Sequence, residues 1–330
     1  MNDKVLLLNE EQVHHLLTPA ECIEAMESAL IALARGEVYN PLRQLMRPPG
    51  ASGVLGLMPA YRSGNKPVFA LKEVAVFPGN PARGLDSHLG AVLLHSGETG
   101  QLLGVFNAAA ITAIRTAAVS ALATRLLSRQ ESTTLTIIGA GVQARAHAES
   151  IASVRALKGI RLASRGSEKA QKLAGELTSR LGIECTFVAD IRAALEGADI
   201  IVTATSSNSP ILKREWIGPG AHINAVGSSV RSAREIDGAT MAASRLFVDR
   251  RESTLNESGD YLSAEAEGLI GPGHIVAEIG EILIGTHKGR ISEGEITLFK
   301  SLGLAAEDLA AAEFLLEKAK RLEFGTWASI

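Results

Sequence analysis

Residues 133–150 read TTLTIIGAGVQARAHAES, and the fold turns on this stretch. Leu135, Thr136, Ile137 and Ile138 form a short apolar, β-branched run of the kind that suits a strand buried in a parallel sheet. The run breaks at Gly139-Ala140-Gly141, Ala144 completes a G-x-G-x-x-A pattern, and the sequence from Val142 onward predicts a helix. Strand, glycine turn and helix in that order are the setting in which the pattern signals dinucleotide binding. Gly139 permits the tight turn, and Gly141 lets a pyrophosphate approach the backbone. Ala144 allows close packing of helix on strand, while the helix N-terminus offers N–H groups and a positive dipole end to the phosphates.

Downstream, strands and helices alternate. GIRLAS is a second strand, CTFVAD a third leading to a helix near Ile191, ADIIVTATSS a fourth, AHINAVGSS a fifth and SRLFVDR a sixth. Such alternation predicts right-handed crossovers and a doubly wound parallel sheet of Rossmann type. Ligands of these sheets sit at the carboxyl ends of the strands, which places Thr205, Ser206, Ser207, Gly227, Ser228 and Ser229 near a cofactor. The end of the second strand bears on which nucleotide binds. NAD sites favour an acid there, about 20 residues after the glycines, to hold the ribose 2′-OH. Here the chain runs Ala163-Ser164-Arg165-Gly166-Ser167, with no acid before Glu168. Arg165 can stack on adenine and pair with a 2′-phosphate, so NADP(H) is preferred and NAD(H) is the alternative.

Upstream of the glycine turn the pattern differs. Val5–Leu8 predicts a strand, with His14 and His15 after it as surface residues. Thr18-Pro19-Ala20-Glu21 is a capping box with proline at the first helical position. It opens a helix carrying Ile23, Met26, Leu30 and Leu33 on one face and ending at Gly36. From Pro41 to Val105 short strands alternate with turns, HSGETG being a hairpin turn. Arg43, Arg47, Arg62 and Lys72 stand in this antiparallel region among apolar neighbours. Lys72 in ALKEVAVF either faces solvent or is buried, and a buried cation needs a partner or faces a site. ITAIRTAAVSALATRLL predicts an alanine-rich helix from Ile111 to Leu127, with Arg115 either exposed or part of a site. From about Ile275 to Leu322 the sequence predicts helices broken by a turn at HKGR, the last of them packing back on the first domain because the polar tail EFGTWASI cannot make a core alone.

Composition limits the alternatives. A chain of 330 residues is long enough for two cores. A net charge of −3 and a pI near 6.3 give no electrostatic case for nucleic acid or an anionic membrane. Cys22 and Cys185 are isolated, which implies neither zinc nor a disulfide framework and suits a reducing cytoplasm. No uninterrupted apolar run approaches the roughly 18 residues of a membrane span, and the N-terminus lacks a signal-peptide pattern.

Several segments together carry a resemblance: GLMPAY at 56–61, Lys72 in ALKEV, Ser87-His88, ITAIRTAA at 111–118, GAGVQA at 139–144, HINAVG at 222–227 and TLFKSLGL at 297–304. Over nearly its whole length the chain resembles the ornithine cyclodeaminase/μ-crystallin family. The resemblance implies an α/β protein with two domains. Residues 1–116 with 306–330 would form an α+β substrate-binding and dimerisation domain, and 117–305 the dinucleotide-binding Rossmann domain of a homodimer. It implies hydride transfer between a nicotinamide cofactor and an amino acid/imino acid pair, with a small 2-imino or 2-amino carboxylic acid as ligand and no metal. Arg43, Lys72 and Arg115 would grip the carboxylate, Lys72 also serving in proton transfer. Thr116, Val142, Gln143, Val226, Ser301 and Leu302 join the cofactor set.

One departure from the family pattern matters. Cyclodeaminases resemble one another in a G-G-D-C-P-G-K segment whose aspartate handles the amine; here the segment is Gly227-Ser228-Ser229-Val230-Arg231-Ser232. Ser229 stands in the aspartate's place, and a hydroxyl cannot act as a carboxylate base at neutral pH. Arg234-Glu235-Ile236-Asp237 also resembles the μ-crystallin version. The expectation is an NAD(P)H-dependent reductase of 2-imino acids, of the ketimine or Δ1-pyrroline-2-carboxylate type or acting on a linear imino acid. The alternatives are a cyclodeaminase-type lyase with recycled NAD and a non-catalytic ligand-binding protein. Arg47 and Arg62 either receive a second carboxylate, as in iminosuccinate, or face solvent.

Overall fold

The computed structural model describes residues 4–329. The chain divides into two compact units, one holding the chain up to Arg115 and again from Leu304, the other holding Thr116–Gly303. The first begins with β1 (Val5–Leu8), α1 (Glu10–Leu16) and α2 (Pro19–Ala34), and continues through β2 (Val38–Tyr39), β3 (Gln44–Met46), β4 (Val54–Arg62) and β5 (Val68–Val76). It then runs through β6 (His88–Ser96) and β7 (Leu102–Asn107) into α3 (Ala108–Leu127), which carries the chain onward. The second unit holds β8 (Thr134–Ile138), α4 (Val142–Ala152), β9 (Gly159–Ala163), α5 (Ser167–Leu181), β10 (Glu184–Phe187), α6 (Ile191–Leu195), β11 (Ile200–Thr203) and β12 (His222–Ala225). After these come α7 (Gly238–Ala243), β13 (Ser244–Val248), α8 (Arg251–Glu257), α9 (Gly259–Ala266), β14 (Ile275–Glu278), α10 (Ile279–Leu283) and β15 (Ile296–Lys300). The chain returns to the first unit with α11 (Ala305–Leu322) and β16 (Thr326–Ala328).

In the first unit the strand order is β16-β1-β7-β6-β5-β4-β2, with β3 paired to β4; only the β1/β7 pair is parallel. Both short N-terminal helices start on complete capping boxes, at Asn9 and Thr18, which set where each helix begins. His14 and His15 lie exposed in the last turn of α1. Register decides the fate of Lys72. It stands opposite Met58 on one side and Val92 on the other, and Val92 stands opposite Phe106. Val68, Ala70 and Lys72 thus share the buried face of the sheet, against which α11 packs, while Phe69 and Glu73 point outward. Lys72 is buried, not solvent-facing.

The second unit is an eight-stranded parallel sheet in the order β10-β9-β8-β11-β12-β15-β13-β14. Its first five strands follow the 3-2-1-4-5 order of a doubly wound sheet, with the reversal of direction between β8 and β11. Ile138, Ile201, Ile223, Leu246 and Leu298 lie in the core on one side of this sheet. The helical expectation beyond Ile275 was wrong in two places. Ile275–Glu278 is an edge strand, and Ile296–Lys300 is an interior strand with all five residues buried. A strand covered on both faces shows no alternation, so periodicity alone does not separate it from a buried helix.

Helix α3 is long and apolar enough to cross a membrane by length and composition, but 83% of its most apolar window is buried in the protein. Its alanines let neighbouring elements approach closely. It is a core helix.

Candidate active site

Two cations dominate the first unit. Lys72 and Arg115 are each only 3% exposed, a state that requires compensation. The first turn of α11 supplies it. Lys72 Nζ lies 3.3 Å from Asp308 Oδ1, Arg115 Nε donates to the same oxygen at 3.1 Å, and an Arg115 Nη donates to Glu307 at 2.6 Å. Asp308 therefore bridges the two cations. The acids stand at the start of a helix whose N-cap, Leu304, offers no side-chain acceptor, so the helix dipole favours them as well. Burial pushes the Lys72 ammonium down to about 8; Asp308 opposes that shift, while Arg115 and Arg43 reinforce it.

Arg43, partly buried, immediately precedes β3, whose Gln44 pairs with Leu57. Continued by one residue, that register sets Arg43 opposite Met58, in the same cross-strand row as Lys72. Arg43, Lys72 and Arg115 are thus brought to one side of the first unit. The other two cations diverge. Arg62 donates through Nε and an Nη to Glu313 at 2.9 and 2.5 Å, and Arg47 is exposed.

The residues expected to bind a cofactor, Thr116 on α3 apart, follow carboxyl ends of the second unit's strands, which all point the same way because the sheet is parallel. Gly139 ends β8 with φ +136°, and a Cβ there would sit 2.5 Å from the carbonyl oxygen of Ala204, so both backbone and space require glycine. Around Gly141 the situation is opposite. A Cβ added there would meet nothing within 4 Å, and Gly141 brings no side chain to the start of α4. Open space at a helix N-terminus after a buried strand fits a pyrophosphate. Val142 is the exposed first residue of α4, Gln143 is partly buried, and Ala144 is fully buried against the sheet. His147 fixes this helix: its Nδ1 lies 2.7 Å from the Gln143 carbonyl and its Nε2 2.9 Å from Ser120 Oγ. Burial lowers it to about 4, so it is neutral, donating to the carbonyl and accepting from the hydroxyl.

Ser164, exposed Arg165 and Ser167 follow β9, and the Gly166 N–H donates to Ser164 Oγ at 3.3 Å. Thr205, Ser206 and Ser207 follow β11; Val226, Gly227, Ser228 and half-buried Ser229 follow β12. Ser301 and Leu302 follow β15, where the Leu302 and Gly303 N–H groups donate to Asp249 at 2.6 and 2.8 Å. Thr116 is buried on α3.

Residue patterns did not find the acids of the first unit or a second charged cluster, Glu235, Asp260 and Lys300. The first had a signal: two consecutive acids, Glu307 and Asp308, stand at the head of the alanine- and leucine-rich run AAEDLAAAEFLL. A buried lysine and arginine elsewhere demand such partners.

Comparison with known families matches residues 3–323 to the ornithine cyclodeaminase/mu-crystallin family. The chain belongs to this family. Within it, the chain is 39% identical to the mouse ketimine reductase mu-crystallin over 323 residues, 97% of this chain and 96% of that one. It is 40% identical to Thermococcus litoralis Delta(1)-pyrroline-2-carboxylate reductase, solved in complex with NADH and L-proline; the TM-score is 0.94, with 98% of this chain and 99% of that one covered. An archaeal alanine dehydrogenase dimer with bound NAD is 31% identical, with a TM-score of 0.92 and 98% and 99% covered.

Proposed function

We propose that this chain is an NAD(P)H-dependent reductase of 2-imino acids, giving an amino acid by hydride transfer to C2. The observation that carries the reading is the buried Lys72–Arg115 pair, compensated by Glu307 and Asp308. A carboxylate and an adjacent C=N group need what that pair can supply: a guanidinium charge, oriented by Glu307 and Asp308, to hold the acid, and an ammonium that gives up its proton near neutral pH. Membership of a family whose relatives include a ketimine reductase and a Δ1-pyrroline-2-carboxylate reductase supports the same chemistry.

In the proposed reaction the substrate carboxylate rests on Arg43, Lys72 and Arg115, which orients the C=N carbon and limits its motion. A bound reduced nicotinamide would supply the hydride. Lys72 delivers a proton to the nitrogen, so the C=N double bond becomes a C–N single bond with one hydrogen on each atom. Ser229 orients the nitrogen by a hydrogen bond. Gly139, Gly141 and the start of α4 hold the pyrophosphate, and the residues after β11, β12 and β15 hold the nicotinamide half.

For the nucleotide we propose NADP(H) over NAD(H), because Arg165 stands at the end of β9 with no acid before Glu168. NADH and NAD in the two related structures belong to those proteins. We further propose that the enzyme works as a homodimer in the cytoplasm, where two buried free cysteines, Cys22 and Cys185, stay reduced.

The test is loss of absorbance at 340 nm with NADPH or NADH. The panel holds Δ1-pyrroline-2-carboxylate, Δ1-piperideine-2-carboxylate, and pyruvate, glyoxylate or oxaloacetate with ammonia or methylamine. Stoichiometric oxidation with one imine is expected, faster with NADPH. Ammonia release from ornithine at constant NADH would instead identify a lyase, and no turnover in either assay would overturn the enzymatic reading.

A further inference from the structure

Deep in the second unit lies a charged cluster, Glu235, Asp260 and Lys300, made of residues other than those assigned to the carboxylate. Glu235 is fully buried and accepts four hydrogen bonds, two on each oxygen. Oε1 takes the Thr205 N–H and hydroxyl, both at 2.7 Å; Oε2 takes the Thr203 hydroxyl at 2.9 Å and the Gly227 N–H at 2.7 Å. One carboxylate thereby ties the end of β11 to the end of β12. Glu235 is held in turn: its own N–H and that of Ile236 donate to Asp260 Oδ1 at 2.8 and 3.1 Å. Lys300, the last residue of β15 and fully buried, bridges Asp260 Oδ2 at 3.0 Å and the Ala225 carbonyl at 3.2 Å. The cluster links the carboxyl ends of three neighbouring strands.

Its packing leaves no slack. A Cβ on Gly227 would lie 2.2 Å from the Thr205 carbonyl oxygen and 2.6 Å from Glu235 Oε1. The Gly227 backbone sits against the carboxylate because no side chain intervenes. Burying two acids and one lysine is costly, and such a cluster persists only when every member is satisfied. A neutral, apolar filling would serve stability as well. What a carboxylate adds is four directed acceptor contacts that fix two loops in one geometry.

We propose that Glu235, seated by Asp260 and Lys300, is a positioning residue that holds the loops after β11 and β12 in register for the nicotinamide half of the cofactor. The proposal rests on the reading of this edge as a dinucleotide site. The adenine half is assigned to Ser164 and Arg165 after β9, two strands away from β11 in the sheet, whereas the hydrogen bonds of Glu235 go to the ends of β11 and β12. Loss of Glu235 should therefore weaken the whole dinucleotide and spare its adenosine fragment.

The experiment is Glu235→Gln, read by titration calorimetry. Its ligands are the reduced dinucleotide that the wild type binds more tightly, NADPH or NADH, and the matching adenosine fragment, adenosine 2′,5′-bisphosphate or AMP. Glutamine keeps the shape but sets its amide N–H groups against one backbone N–H, of Thr205 or Gly227, while the threonine hydroxyl on the same side can turn to accept. Dinucleotide affinity should fall about tenfold to a hundredfold, while fragment affinity stays within about twofold. Thr203→Val, which removes one donor without changing shape, should shift the dinucleotide in the same direction by a smaller factor. It also decides the matter should Glu235→Gln fail to fold. Equal loss of both ligands, or loss of neither, would overturn the proposal. A wild type that binds neither dinucleotide would instead remove the reading on which it rests.

Discussion

A lysine buried as deeply as Lys72 keeps its proton only while nearby carboxylates replace the lost water. Lys72 has Asp308 in its favour, against burial and the charges of Arg115 and Arg43. The balance leaves it near 8, below the ordinary lysine value of 10.5. Two consequences follow, with opposite signs. As proton donor Lys72 works in its charged form, so kcat/KM for imine reduction should be level below about pH 8 and fall above it. Stability moves the other way. Because the folded value is depressed, the unfolded chain binds the extra proton between about pH 8 and 10.5, and this group's contribution to stability rises with pH across that window. Lys72→Met should lower kcat by about a hundredfold or more and abolish the alkaline limb of the profile. A pH–rate series on both proteins checks this; an unchanged limb in the variant would assign it to another group.

At the scale of elements, the turn between β8 and α4 makes the sharpest demand on sequence. Gly139 needs both a backbone conformation closed to other residues and the absence of a Cβ beside Ala204. Gly139→Ala should cost about 2 kcal/mol or more of stability and abolish tight dinucleotide binding, measured by denaturant titration and by calorimetry. This turn was legible in the sequence because its residues act locally: each glycine answers a requirement of its own backbone. The parallel sheet was legible for the same reason, through strands and helices that alternate in order. The strand ITLFK was not, since burial on both faces removes the alternation that marks a strand. Nor could Lys72 be resolved. In LKEVAV both rows of β5 carry apolar residues, and only register against β4, β6 and the covering α11 shows which row faces inward. Glu307, Asp308, Asp260 and Lys300 escaped because their roles depend on partners 24 to 236 residues away in sequence.

At the scale of the whole molecule, the outward face of the first unit's sheet raises the question of what covers it. An antiparallel sheet with one solvated face normally carries polar residues there. Here the register aligns Tyr39 with Tyr61, Tyr61 with Phe69, Met46 with Leu55, and Ala75 with Leu89, all on the outward side. Tyr39 is 70% exposed, Met46 53%, Phe69 49% and Leu89 44%. Exposed apolar residues gathered on one sheet face are a mark of an interface, although Glu73 also stands on this face. A second copy of the same face is the simplest cover, since a two-fold contact matches each patch with itself. Sedimentation equilibrium should then give a particle of two 34.7 kDa chains. Phe69→Glu, beside Tyr61 at one end of this face and pointing away from the core, should give single chains, because the contact would bring two unpaired carboxylates into an apolar interface. Its circular dichroism should match the wild type's, as Phe69 belongs to neither the core nor the Lys72 row. A dimer that survives the substitution would place the interface on another surface.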